Sequence, residues 1–201
     1  MIITSIEPWK KNKFKIYIDG QFALFLTKEE LSRYCLQEEQ IINKELRDEL
    51  EQLVSKRAIM RAMQLLEIMN RTEAEMRIKL KKSFYPDIAI EAAVAYVKSY
   101  RYINDGDYAR NYIQGRLGSK SKREVYEKLV IKGIEKSVIE GAMEEFDQES
   151  EQEAIRSILK KRHFHAESAT VEERRKLYGY LARKGFHYED IRQVLQVSES
   201  F

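Results

Sequence analysis

Two short motifs contain the residues of this chain whose types could support chemistry. Asp105 and Asp107 stand two positions apart in INDGDYA, and paired carboxylates can act as general acid and base when their surroundings separate their pKa values. His163 and His165 form a His-x-His motif, which would suit zinc only with further ligands nearby. The sequence has no Gly-rich phosphate loop, nucleophile elbow or paired-cysteine motif. We therefore predict a protein that is not an enzyme, with no cofactor and no metal site.

The residues that follow Asp105 favour a structural role for the acidic pair. Asp105-Gly106 is a dipeptide typical of tight hairpins, but the apolar residues after it have the spacing of a helix face: Tyr108, Ala109, Tyr112 and Ile113. We expect Asn104 or Asp105 to accept the first free backbone N–H groups of that helix. Asp107 would then lie in the first turn, where the helix dipole favours negative charge.

The same dipeptide predicts a different structure near the N-terminus. Asp19-Gly20 lies between two segments in which every second residue is apolar: Phe14, Ile16 and Ile18, then Phe22, Leu24 and Leu26. This alternation is typical of half-buried strands. Residues 1–26 are therefore predicted to form a β-hairpin with a type I′ turn.

The composition predicts a mainly helical protein. Of 201 residues, 43% are hydrophobic and 34% are charged, while glycine and proline number only 8 and 2. This mixture favours amphipathic helices around an apolar core. The single cysteine, Cys35, has helical spacing from Leu31 and is expected in the core. The N-terminus lacks the features of a signal peptide, and no apolar run reaches membrane-spanning length, so we expect a cytoplasmic protein without a membrane partner.

Charge is distributed unevenly although the net charge is only +3. Residues 28–54 contain eight acidic and four basic side chains, and residues 137–153 contain seven acidic and no basic ones. Residues 110–136 contain eight basic and three acidic side chains. Two interpretations remain open: these blocks are solvated helix faces, or they form a docking surface for an acidic or polyanionic partner.

A repeated capping motif predicts that the helical part of the chain is modular. A Ser or Thr is followed three positions later by Glu at three places whose starts are 49 residues apart: Thr72, Ser121 and Thr170. In this capping box the hydroxyl group and the Glu carboxylate each bind a free backbone N–H. Such matches also arise by chance in a Glu-rich chain, so the residues that follow them carry the argument.

The apolar positions after each capping box repeat as well. When the segments are aligned on Leu80, Leu129 and Leu181, an apolar residue lies four positions earlier and another ten positions later in all three. Between them stand Gly133 and Gly185, which can adopt the left-handed conformation that ends a helix; Phe84 replaces glycine in the first segment. Another stretch with helical spacing precedes each of these helix pairs, at residues 58–69, 108–117 and 154–161. Each unit is therefore predicted to contain three helices. We expect a mainly α fold of tandem three-helix repeats in an elongated curved array, with these segments: hairpin 1–26, acidic helical connector 27–55, repeats 56–103, 104–150 and 151–201.

Four stretches carry a resemblance to a known family: RTEAEMRIKL (71–80), YRYINDGDYAR (100–110), EKLVIKGI (127–134) and YLARKGF (180–186). The chain resembles the RecX family, whose members regulate the RecA recombinase. The resemblance covers about residues 56–197 and departs from the family pattern at Phe84 and Gly106.

The resemblance implies a negative modulator of RecA. Such a protein would bind the RecA–DNA filament in its helical groove and inhibit filament extension, ATP hydrolysis and strand exchange, as a monomer. An auxiliary contact with DNA stays open, and the alternative is a helical protein that binds single-stranded or duplex DNA directly. Because the net charge is small, the residues themselves favour DNA as an auxiliary contact.

Two sets of residues are predicted to serve these roles. The first set, the basic stripe, recurs along the repeats and could meet acidic protein surface or DNA phosphates; ordinary helix solubility is the alternative. Its members are Arg71, Arg77, Lys79, Lys81, Lys82, Arg110, Arg116, Lys120, Lys122, Arg123, Lys128, Lys132, Arg174, Arg175, Arg183 and Lys184. The second set is structural and is predicted at the repeat junctions and turns: Asn104, Asp105, Tyr108, Ala109, Gly133 and Gly185.

Overall fold

The computed structural model describes residues 1–146, 151–164 and 169–195. The chain divides into two compact units, Met1–Asn104 and Asp105–Phe201. His165 of the His-x-His motif lies outside the described residues. Among the helices in the described ranges, none combines the length and the apolar character needed to cross a lipid bilayer.

The first unit begins with a three-stranded antiparallel sheet, in the order β1 (Ile3–Lys10), β2 (Lys13–Ile18) and β3 (Gln21–Thr27). The turn between β2 and β3 has positive φ at both Asp19 (48°) and Gly20 (79°), as a type I′ turn requires. The predicted hairpin is therefore present, but the sequence-based prediction missed β1. Pro8 and a weak alternation hide this strand, and proline is tolerated there because β1 lies at the edge of the sheet.

Four helices complete the first unit: α1 (Lys28–Arg33), α2 (Lys44–Ile68), α3 (Glu73–Lys82) and α4 (Asp87–Ser99). The long helix α2 continues without a break from the acidic connector into the first predicted repeat. Its buried side chains recur at helical spacing and join the sheet and α4 in one core: Leu50, Val54, Ala58, Ala62 and Leu65.

The expectation that Cys35 is buried was wrong. Cys35 is exposed and has φ 48° directly after the end of α1. The next residue, Leu36, enters the core instead and is 7% exposed. The prediction assumed that the helix continues from Leu31 to Cys35, which would put both side chains on one face. The sequence pattern does not show that the helix ends at Arg33.

The described residues of the second unit form six helices: α5 (Asp105–Gln114), α6 (Lys122–Ile131), α7 (Lys136–Glu144), α8 (Glu151–Lys161), α9 (Val171–Arg183) and α10 (Tyr188–Leu195). Helix α5 begins at Asp105, so the prediction that Asp105-Gly106 enters a helix is confirmed. The buried residues form two clusters, one on α5 to α7 and one on α8 to α10. The prediction of a mainly helical chain with N-terminal β-structure is confirmed, while its division into five segments stays a prediction.

Helices α3, α6 and α9 end in the same way. Leu80, Leu129 and Leu181 are each fully buried, and the carbonyl group of each accepts a hydrogen bond of 3.2 to 3.3 Å from the backbone N–H five residues later. This is the Schellman arrangement, which satisfies carbonyl groups that a helix end leaves without partners. Helix α9 has 13 residues, three more than α6, which accounts for the longer distance between its capping box and Leu181.

Candidate partner-binding surface

Arg77, a member of the basic stripe in the first unit, is held by ion pairs within the protein. Arg77 forms ion pairs with Glu73 on its own helix (2.9 Å) and with Glu91 on α4 (2.5 Å). The hydrogen bonds that Arg77 donates to Glu91 raise the pKa of Arg77, with a further contribution from Glu73. Lys98 and then Arg77 lower the pKa of Glu73, and Arg77 lowers that of Glu91. Arg77 therefore ties α3 to α4 and is poorly placed to bind a partner.

The end of α3 presents exposed cations. Lys79, Lys81 and Lys82 occupy its last turn and are exposed, where the negative end of the helix dipole favours positive charge. Within the described ranges none of the three forms an ion pair. Arg71 lies before α3 and donates from Nε to the Leu65 carbonyl group at 3.4 Å. The three lysines are therefore the members of the stripe in this unit that are free to meet an anionic partner.

At the start of α6 the stripe is engaged in contacts within the second unit. The carboxylate of Glu124 binds the ammonium groups of Lys120 and Lys184, the latter at 3.6 Å. Burial acts to raise the pKa of Glu124, but the two lysines outweigh it and the pKa is lowered. Arg123 pairs with Glu127 at 3.0 Å. These side chains have a structural function that the sequence-based prediction did not separate from partner binding.

Three cations on or near α5 also have neighbours. Arg110 pairs with Asp107 and, at 3.5 Å, with Glu145, and the hydrogen bond that Arg110 donates to Asp107 raises the pKa of Arg110. Asp107 is thus explained by a local ion pair and needs no catalytic role. Aromatic rings lie beneath the other two cations, with Arg116 5.5 Å from the centre of Tyr112 and Lys132 5.1 Å from that of Tyr108.

The remaining members of the stripe lie on α6 and α9. Lys128, Arg175 and Arg183 are exposed, and the described residues provide no ion pair for them. Lys122 and Arg174 are only partly exposed, and each makes contacts within the protein. Six exposed members of the stripe have neither an ion pair nor an aromatic contact among the described residues: Lys79, Lys81, Lys82, Lys128, Arg175 and Arg183.

The predicted junction and turn residues occupy varied positions. Ala109 is fully buried and Tyr108 packs against the same cluster, while Asn104 is exposed directly before α5. Gly133 and Gly185 have φ 78° and 85°, the left-handed conformation expected of them.

The prediction overlooked Glu151, which is 5% exposed. Its carboxylate accepts the backbone N–H of Lys122 (2.5 Å) and that of His187 (3.1 Å), so one side chain binds the starts of α6 and α10. In the sequence Glu151 cannot be distinguished from exposed acids in the first turn of α8, such as Glu153. Among the described residues there is no group of three or more acidic, His or Cys side chains placed to hold a metal ion.

Several relatives align with almost the whole chain. A protein of Clostridium beijerinckii named Regulatory protein RecX is 31% identical over 203 residues, which cover 96% of this chain and 94% of the relative. A protein of the same name from Caldanaerobacter subterraneus subsp. tengcongensis is 32% identical and covers 98% of this chain and 100% of the relative. The chain belongs to the RecX family.

Comparisons of single domains and of structures agree with membership in the RecX family. The family model described as RecX, third three-helix domain, matches residues 149–195, which contain α8, α9 and α10. A crystal structure titled regulatory protein RecX superimposes with a TM-score of 0.65 at 22% identity and covers 98% of this chain and 99% of that one. RecX from Lactobacillus salivarius gives a TM-score of 0.59 at 20% identity, over 71% of this chain and 95% of that one. These two likenesses concern the fold.

Proposed function

We propose that this RecX-family chain is a negative modulator of RecA. It binds the RecA–DNA filament, lies in the helical groove of the filament, and inhibits filament extension, ATP hydrolysis and strand exchange. The observation that carries this proposal is the alignment of nearly the full chain with proteins named Regulatory protein RecX. No catalytic step is part of the proposal: Asp107 pairs with Arg110, and the carboxylates of the capping boxes bind backbone N–H groups.

The exposed cations supply a physical basis for binding a filament. A filament presents identical protomers and DNA phosphates at regular intervals, so several weak contacts made by one chain add through high effective concentration. Lys79, Lys81 and Lys82 at the end of α3, with Lys128 on α6 and two arginines on α9, are available for such contacts. Charge complementarity of this kind increases the association rate and sets orientation more than it increases affinity.

The direct test is titration of the full chain into RecA hydrolysing ATP on single-stranded DNA, at well below one copy per RecA protomer. The proposal expects hydrolysis to fall and filaments to stop growing, because one bound chain affects many protomers. If inhibition appears only when the chain is equimolar with RecA or saturates the DNA, the proposed filament mechanism is wrong.

A triple variant tests the cations. Lys79→Gln, Lys81→Gln and Lys82→Gln together should weaken binding to the filament and make it less sensitive to salt. The matched control is Lys28→Gln, Lys44→Gln and Lys56→Gln, which removes the same charge from exposed positions on α1 and α2. Equal inhibition by both triple variants and the unmodified chain would remove these lysines from the proposed surface.

A second candidate function is direct binding of single-stranded or duplex DNA. The lysines at the end of α3 favour it because the described residues supply no neutralising carboxylate. Binding to bare DNA is to be compared with binding to DNA coated with RecA and nucleotide. Equal affinity for both would support the DNA-binding function, and a clear preference for coated DNA would support filament modulation.

A further inference from the structure

The outer face of the N-terminal sheet has a different chemistry from the basic stripe. Residues 8–18, PWKKNKFKIYI, contain four lysines and no acid. Ile16, Leu24 and Leu26 point into the core and are at most 2% exposed, so the alternate residues of β2 and β3 lie on the opposite face. There Lys15 stands directly opposite Phe25 in the β2–β3 register.

Two further aromatic rings are brought to this face. The β1–β2 register is irregular between Pro8 and Lys10, and such an irregularity at a sheet edge redirects a side chain. Trp9 lies at that point, with its ring centre 5.8 Å from Phe25 and 4.5 Å from Phe84, which belongs to the turn between α3 and α4. Phe25 is buried beneath, whereas Phe84 is 43% exposed and Trp9 is partly exposed. Contacts with Phe25 and Phe84 therefore hold the ring of Trp9 at the surface.

Lysine ammonium groups surround these rings. Lys10 Nζ lies 4.4 Å from the centre of Trp9, and Lys15 Nζ lies 5.9 Å from Trp9 and 5.7 Å from Phe84. Lys13 Nζ lies 5.1 Å from the centre of Phe25. Within the part of the chain that the structure describes, none of the three lysines forms an ion pair.

Three acidic side chains lie near these lysines in the sheet and at the start of α1. Glu29 accepts a 2.7 Å hydrogen bond from Asn12, and Glu30 pairs with Arg57 at 3.0 Å. Glu7 faces Lys15 in the β1–β2 register, and burial and then the negative charge of Glu7 raise the pKa of Tyr17. Four lysines at positions 10–15 outnumber the exposed acids Glu7 and Glu29, so the surface at the Trp9 end of the sheet carries a net positive charge.

We infer that Trp9, Phe84, Lys10, Lys13 and Lys15, here named the aromatic–lysine patch, bind a single strand of nucleic acid. Bases stack on the exposed rings while the ammonium groups bind the phosphates on either side. The ammonium groups now rest over the ring faces, and their flexible side chains allow them to move to phosphate when a base takes that place.

The combination of groups selects this ligand over other polyanions. An acidic peptide would use the lysines and leave the two rings without a function, and the bases of a duplex are already stacked on one another. A single strand offers both a phosphate every few ångströms and free base faces, as the patch requires. The inference concerns bare nucleic acid and does not depend on the proposed binding to a RecA filament.

The single tryptophan of the chain provides the measurement. An oligothymidylate of about 12 nucleotides, a length within the range that such sites cover, is titrated into the full chain at low salt. A base stacked on Trp9 should quench its fluorescence, and the affinity should fall steeply as salt is added. A duplex of the same length and a polyglutamate peptide are the comparison ligands, and both should bind more weakly and leave Trp9 emission unchanged.

Two variants separate the contributions of ring and charge. Phe84→Gly removes the exposed ring from a residue with φ 63° and introduces the residue type that ends α6 and α9, so the turn should still form. It should weaken binding of oligothymidylate by about 5- to 100-fold, the range for losing one stacked base. Lys10→Gln, Lys13→Gln and Lys15→Gln together should reduce the slope of log affinity against log salt by about 2. The control Lys28→Gln, Lys44→Gln and Lys56→Gln should leave the quenching and the affinity unchanged.

Several results would overturn the inference. These are the absence of quenching by oligothymidylate at low salt, equal binding by folded Phe84→Gly and the unmodified chain, and equal quenching by duplex or polyglutamate. The last result would assign the surface to an acidic protein or to polyanions in general. Inhibition of RecA by the same variants is measured separately, so the filament proposal and the patch can fail independently.

Discussion

The hydroxyl group of Ser121 donates a 2.6 Å hydrogen bond to the backbone carbonyl group of Lys184, 63 positions further along the chain. The same hydroxyl accepts the backbone N–H of Glu124 at 3.1 Å. The start of α6 and the end of α9 therefore share one capping group. The carboxylate of Glu124 binds Lys120 and Lys184 and does not close the capping box that its spacing predicts.

Replacement of Ser121 by alanine should be more costly than loss of an ordinary helix cap. Ser121 is fully buried, so the variant leaves both the Glu124 N–H and the Lys184 carbonyl group without a partner. We expect the free energy of unfolding to fall by about 2–3 kcal/mol. The control is Thr170→Ala, which removes a capping box exposed to solvent and should cost about 1 kcal/mol. Urea denaturation followed by circular dichroism gives both values, and equal costs would show that the Lys184 contact adds nothing.

Replacement of Glu151 should reduce stability more than replacement of other acidic residues in the second unit. In Glu151→Ala two backbone N–H groups at the starts of α6 and α10 lose their acceptor, at a cost of about 2–4 kcal/mol. Glu151→Gln keeps one acceptor oxygen and should recover part of the loss.

The matched control for Glu151 is Glu153→Ala, two positions along α8 and exposed. It should cost less than about 1 kcal/mol, the size of a helix-dipole contribution. A Glu151→Ala variant as stable as Glu153→Ala would contradict the proposed double cap.

Gly185 is expected to tolerate alanine less well than Gly20, which also has a positive φ. A Cβ atom at Gly185 would lie 2.7 Å from Arg123 Cδ and 2.9 Å from Arg123 Cβ, whereas one at Gly20 would meet nothing within 4 Å. Both residues have left-handed backbone conformations, with φ 85° and 79°, so each alanine variant pays about 1–2 kcal/mol of strain. Overpacking should lower the free energy of unfolding of Gly185→Ala by about 1–3 kcal/mol more than that of Gly20→Ala. Thermal unfolding of the two variants measures this difference. A difference near zero would show that Arg123 moves away from the added methyl group.

Local patterns predicted the elements better than the contacts between them. Alternation around Asp19-Gly20 and helical spacing after Asp105 each identified the correct structure, because both signals lie within a few residues. The cap shared by Ser121 and Lys184 could not be predicted in this way, since it joins residues 63 positions apart.

In the candidate surfaces, too, contacts between residues distant in sequence could not be predicted. The sequence suggested the basic stripe but could not show that Arg77 is held by Glu91 on another helix. The lysines around Trp9 were present in PWKKNKFK, yet only the irregular register of β1 and the turn that carries Phe84 bring lysines and rings together. Burial of Glu151 likewise depends on helices that are distant in sequence.

The ion-pair cluster around Arg77 should make stability depend on pH in the acid range. The pKa values of Glu73 and Glu91 are lowered in the folded protein from an ordinary value of 4.5, so their contribution is present above that pH and is lost as the pH falls through the folded values. In Arg77→Gln both pKa values move back toward 4.5, and the stability curve should flatten below it. The variant and the unmodified chain should therefore differ most near neutral pH and converge in acid. Lys79→Gln, which changes an exposed cation on the same helix, is the control. Stability is measured by urea denaturation from about pH 7 to pH 3. Parallel curves for Arg77→Gln and the unmodified chain would show that the ion pairs of Arg77 do not contribute.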